Sequence, residues 1–195
     1  LPSRRGGHSG DGHGEAGRLF RQWTDERFLV RDPRESFYLY AQDFSCGDGP
    51  RRRAGIIGAL HLEPFSRGVV HRHEQTFGKH KEDRLALTAQ AKANLSPIFG
   101  LYSNPGFAPQ PEGGWDTRAD IDVVHDGVRH RVWTLTSEGS CRAISEALAG
   151  REVFIADGHH RYETALNYFD RLHGGHEPSA AEDAPGDIAC PEAHV

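Results

Sequence analysis

Two short stretches of the chain concentrate side chains able to hold negative charge and move protons. The first is Ala156-Asp157-Gly158-His159-His160-Arg161-Tyr162. A strand over Val153–Ala156 and a helix over Arg161–Leu172 flank it, so the turn at Gly158 opens a helix. The first amides of a helix have no intrahelical acceptor, and the helix dipole adds roughly half a positive charge there. A phosphate-bearing ligand is the natural occupant of such a helix start. Gly158 permits close backbone approach, Arg161 offers a fork for two phosphate oxygens, and His159 and His160 supply charge or proton transfer near neutral pH. The Asp157 charge repels phosphate. It suits a helix N-cap, a metal ligand, or an acceptor for a substrate hydroxyl or amine. The same residues also fit a plainer reading, in which Asp157 caps, Gly158 turns the chain and the histidines are solvated.

The second stretch is His71-Arg72-His73-Glu74-Gln75-Thr76, followed by a helix whose first turns carry Lys81, Asp83 and Arg84. It offers a general base in Glu74 or Asp83, and cations for phosphate in Arg72, Lys79, Lys81 or Arg84. Among 23 basic residues only three are lysines, and all three (Lys79, Lys81, Lys92) fall in this region. That placement favours a compact ammonium at one of these positions. On a strand, His71 and His73 would point the same way and share a metal. A solvated helix start with weak ion pairs is the plain alternative.

Around these stretches the chain reads as α+β, with a mixed, largely antiparallel sheet and a few helices. Ser36–Phe44 reads as a strand. Ala54–Leu62 reads as a second, apolar enough to be buried on both faces, with Gly47–Arg53 as the link of a hairpin. A helix is expected from Gly78 to Asn94, ended by Pro97, then a strand over Ile98–Tyr102. Asp126-Gly127 marks a hairpin between strands at residues 121–124 and Val128–Leu135. Cys141–Leu148 reads as a short helix stopped at Gly150. Residues 1–17, rich in Gly, Arg and Ser, are expected to lack order, residues 18–174 to form one α+β domain, and residues 175–195 to form an irregular tail.

The bulk properties narrow the function classes. A net charge of −5 over 195 residues argues against nucleic acid as a partner. No apolar run approaches the ~20 residues that span a bilayer. Cys46, Cys141 and Cys190 are odd in number and form no Cys-x-x-Cys pair, which points to a reducing, cytoplasmic setting. The oligomeric state is left open.

The runs HRHEQTFGKHKEDRLALTAQAKANLSPIFGLY and FIADGHHRYETAL resemble the bacterial and archaeal family catalogued as domain of unknown function 1015. Asp126-Gly127-Val128 and Val132-Trp133 between them look like that family too, and the similarity runs from about Arg27 to Tyr168. Family members begin earlier and continue further, and the chain contains no methionine. The resemblance therefore implies truncation at both ends. More distantly, Asp157 to Glu163 is similar to the Gly-Cys-His-Arg-Tyr signature of sulfiredoxins. It is also similar to the phosphate-binding box of ParB-like nucleotide-binding proteins and of free-serine kinases on that fold. His159 stands where sulfiredoxins carry cysteine, which excludes sulfinic-acid chemistry.

That resemblance implies a ParB/sulfiredoxin-like fold, with Gly158, His159, His160 and Arg161 as phosphate contacts, to which the chemistry of the second stretch adds Arg72, Lys81 and Arg84 as phosphate cations. Glu74, Asp157 and His159 become the candidate catalytic groups. The expected function is a nucleotide-dependent phosphotransferase acting on a small hydroxyl metabolite, with serine as the candidate and Mg²⁺ accompanying ATP or another nucleotide. Two alternatives stand beside it. One is a metal-dependent hydrolase using His71, His73, Asp157 and His159 or His160, and the other is a non-catalytic ParB-like nucleotide switch.

Overall fold

A computed structural model describes residues 12–74 and 78–174. The fold is α+β, with four helices and two sheets among the described residues. The chain divides into two compact units, where the sequence suggests one domain over 18–174. One unit holds residues 32–61 and 102–152, and the other the segments 1–31, 62–101 and 153–195.

The unit of residues 32–61 and 102–152 is built on a four-stranded antiparallel sheet. Its strands are β1 (Phe37–Cys46), β2 (Gly49–Ile57), β5 (Ile121–His125) and β6 (Val128–Leu135), in the order β2-β1-β6-β5. The period-two pattern sends Leu39 and Ala41 of β1, with Trp133 and Leu135 of β6, to one face. There they bury against Ile144 of α3 (Glu138–Leu148). The turn at Asp126 and Gly127 has φ of 50° and 76°, as a two-residue hairpin demands. Arg131 is buried on the same face. Its guanidinium donates to the Trp115 carbonyl (2.9 Å) and the Asp43 carboxylate (2.8 Å) and lies over the Trp133 ring.

β2 departs from expectation. It starts at Gly49, inside the supposed link, and is exposed along most of its length instead of buried on both faces. The reason is its place at the sheet edge, where it pairs only with β1 and carries Arg51, Arg52 and Arg53. α3 begins three residues before Cys141 because the Ser137 hydroxyl accepts from the Ser140 amide (3.2 Å).

The other unit packs three helices with a small sheet of order β3-β7-β4. These strands are β3 (Val70–His71), β4 (Phe99–Tyr102) and β7 (Val153–Asp157). β3 and β7 run parallel, with Val70 opposite Val153 and His71 opposite Phe154. The core joins Val70 and Ile155 to Tyr162 of α4 (His159–His173), with Leu62, Phe65, Ile98 and Leu166 around them. The Tyr162 hydroxyl donates to the Glu63 carbonyl (2.8 Å) and accepts from the Glu63 amide (2.9 Å), fixing the segment that leads to β3. Burial pushes this phenol above its usual pKa.

α1 (Gly12–Asp25) and α2 (Gly78–Ala91) complete this unit. α1 contradicts the expectation of disorder for residues 12–17. Its sequence carries little to bury, yet Gly17 lets it approach α2 closely. A Cβ at Gly17 would stand 2.6 Å from the Gln90 carbonyl oxygen. Gly17→Ala gains up to ~1 kcal/mol of helix propensity. It also overpacks a backbone contact, at a cost of about 1–3 kcal/mol. A net loss of stability is therefore expected in urea unfolding, and a gain would contradict the packing. The disordered start expected over residues 1–11 and the irregular tail expected over residues 175–195 lie outside the described residues.

Candidate functional site

The parallel pairing of β3 and β7 places their carboxyl ends side by side, the position where ligands gather in sheets with parallel strands. Arg72, His73 and Glu74 follow β3, and Gly158 and α4 follow β7. The two motifs, more than 80 residues apart in sequence, therefore meet. The His159 Nδ1 lies 3.8 Å from Glu74 Oε2, and His73 Nε2 lies 3.7 Å from Glu74 Oε1. The His73 and His159 rings meet edge to face with centroids 4.5 Å apart. These are ion-pair rather than hydrogen-bond distances.

His159 is 4% exposed, and its Nε2 has no hydrogen-bond partner among the described residues. A buried polar atom left unpaired costs about 1–3 kcal/mol, so this nitrogen calls for a functional explanation. A carboxylate beside Nδ1 and an unpaired Nε2 form the arrangement by which an imidazole accepts a proton: the carboxylate stabilises the imidazolium that results.

Glu163 sits one turn after His159 on the same face of α4. It is 7% exposed and accepts from Arg72 Nη1 at 2.8 Å. The Arg72 guanidinium lies 4.9 Å over the Phe65 ring, which in turn packs on Tyr162.

Gly158 caps α4 in the left-handed region at φ 98°. Its carbonyl accepts from the amides of Arg161 (2.9 Å) and Tyr162 (3.0 Å), and the amides before these have no acceptor within the helix. Arg161, assigned to phosphate from the sequence, is otherwise engaged. Its guanidinium bonds the exposed Asp157 carboxylate, the Pro97 carbonyl and the Ser96 hydroxyl (2.7 Å). It also folds across Gly158, where a Cβ would stand 2.9 Å from Arg161 Nε. Arg161 thus ties the turn after β7 to the segment before β4. That role also takes up Asp157, whose carboxylate is its partner.

The other assigned residues are placed as follows. His160 is half-buried, and its carbonyl accepts from the Thr164 hydroxyl (2.6 Å). Arg84 is exposed on α2, with no side-chain contact to the cluster among the described residues. Lys81 and Lys79 belong to the first turn of α2, and their side chains lie outside the described residues. His71 does not join His73. β3 ends at His71, the alternation ends with it, and the His71 ring stacks on Phe154 at 4.6 Å. Among the described residues no three of His, Cys, Asp and Glu are placed to hold a metal ion.

Glu163 has no expected role from its residue type, and His73 is expected only as a metal ligand. The i, i+4 spacing from His159 and a carboxylate on the inward face of a helix were the available signals for Glu163. Two open depressions of about 490 Å³ each lie in the other unit, beside Arg52 and Arg129 and beside Trp115 and Arg131, and neither includes a residue of the cluster.

A family model described as "Protein of unknown function (DUF1015)" matches residues 4–189. The chain belongs to the DUF1015 family. The match extends beyond both ends of the motif-bearing stretch from Arg27 to Tyr168. No curated protein and no solved structure matches this DUF1015 chain. No helix among the described residues is long and apolar enough to cross a membrane.

Proposed function

We propose that this DUF1015 chain is a phosphotransferase that binds a nucleotide at the start of α4 and passes its terminal phosphoryl group to the hydroxyl of a small metabolite. The observation that carries the reading is the approach of Glu74 to His159, at 3.8 Å, beside an unpaired buried ring nitrogen and a helix N-terminus. In the transfer, His159 Nε2 takes the hydroxyl proton, the metabolite oxygen bonds to phosphorus, and the phosphorus–oxygen bond to the remaining nucleotide breaks. Glu74 stabilises the imidazolium. The helix start and Arg72 face the phosphate charge, because phosphoryl transfer depends chiefly on positioning and charge neutralisation.

Mg²⁺ held with the phosphates would supply further neutralisation. The exposed Glu74 carboxylate would be its oxygen donor at this end of the sheet, since Asp157 is paired with Arg161. The similarity of residues 157–163 to the box of ParB-like proteins and free-serine kinases supports the same reading. The metal-hydrolase alternative has no donor set of three to stand on among the described residues.

The test is calorimetry and ³¹P NMR on the 195-residue chain with Mg²⁺, serine, and ATP, ADP or CTP in turn. Nucleotide binding and a new phosphomonoester signal are expected. Binding without product supports the non-catalytic switch instead, and neither binding nor product rejects both.

A further inference from the structure

Glu163 has no part in the transfer as described, yet it is the buried carboxylate of the site. We propose that Glu163 is a positioning residue, holding the Arg72 guanidinium ready for the oxygens of the anion bound at the start of α4. This rests on the phosphate-binding reading above.

Three observations carry the proposal. Glu163 is 7% exposed and accepts from Arg72 Nη1 at 2.8 Å, so a charge-assisted bond fixes one corner of the guanidinium. The plane of that guanidinium is fixed by the Phe65 ring 4.9 Å below it. The Arg72 side chain nevertheless remains 46% exposed. A guanidinium carries five N–H donors, of which Glu163 takes one. Glu163 itself lies four residues after His159, about 6 Å along the helix axis.

Two effects of Glu163 on an anion oppose each other, and the sign of a measurement separates them. As a bare negative charge Glu163 repels phosphate, so its removal would tighten binding. As the anchor of Arg72 it improves binding, so its removal would loosen it.

Tripolyphosphate binding to the full chain, measured by calorimetry at fixed ionic strength, reads that sign. Glu163→Gln keeps the size and loses the charge. It is expected to raise Kd about tenfold, the scale of one charge-assisted bond. Arg72→Ala gives a similar rise, and the double variant no further one, because both changes remove the same contact. Arg72→Lys does not restore affinity, since an ammonium lacks the plane and the fork. Unchanged or tighter binding in Glu163→Gln overturns the proposal, as do additive losses in the double variant. Should Glu163→Gln fail to fold, Arg72→Ala, altering a half-exposed side chain, still decides, and full affinity there overturns the proposal. A wild-type chain that binds neither tripolyphosphate nor nucleotide rejects the phosphate-binding reading itself, a result distinct from wild-type binding that Glu163→Gln leaves unmoved.

Discussion

Replacing His159 with glutamine is expected to lower phosphoryl transfer by about 10²–10⁴-fold, the contribution of a positioned general base. Glutamine is close to histidine in length and carries its own polar atoms, so the buried position (4% exposed) stays filled. Nucleotide affinity should change little, because the proposed phosphate contacts are backbone amides and Arg72 rather than Nε2. Glu74→Gln is expected to act in the same direction by a smaller factor, leaving stability unchanged because that side chain is 66% exposed. Single-turnover kinetics under saturating nucleotide would measure both. A His159→Gln protein that turns over at the parent rate would remove His159 from the chemistry.

Gly158→Ala is expected to cost both stability and anion binding. At φ 98° a non-glycine residue is strained, at about 1–2 kcal/mol. The added methyl would also meet Ile98 Cγ2 at 2.7 Å and Arg161 Nη2 at 3.0 Å. Arg161 can swing aside, whereas Ile98 belongs to the core and cannot move freely. Overpacking of this kind adds about 1–3 kcal/mol, and the combined loss should appear as a lowered urea midpoint. Displacing Arg161 also breaks its bonds to Asp157, Ser96 and the Pro97 carbonyl, so the start of α4 loses its anchor to the segment before β4. A Gly158→Ala protein as stable as the parent would mean that the turn relaxes without resistance.

Much of this arrangement is legible in the residues themselves. Asp126-Gly127 specifies the β5–β6 turn, because its two positions need positive φ and few residue pairs accept it. The strand–glycine–helix order at residues 153–173 is equally plain, and both histidines fall in the first turn of α4. What the sequence hides is tertiary. α1 is held by a close approach at Gly17 that no local pattern announces. β2 looks buried from its apolar end, but edge position is a property of the whole sheet.

Within the site, the closeness of Glu74 to His159 follows from the parallel pairing of a two-residue strand, too short to show any periodicity. Arg161 illustrates the opposite failure. A guanidinium beside a glycine turn has the residue types of an anion clamp, yet three of its donors go to Asp157, Ser96 and the Pro97 carbonyl. Glu163 went unnoticed because its importance lies in burial and in Arg72, which is 91 positions away.

Backbone amide shifts during a titration with tripolyphosphate test the central claim most directly. If the start of α4 is the anion site, the amides of Gly158, His159 and His160 shift first and saturate together, with Glu163 and Arg72 close behind. Shifts that gather instead at the arginines of the other unit, Arg51, Arg52 and Arg129, or that never saturate, would show that the negative charge is held elsewhere.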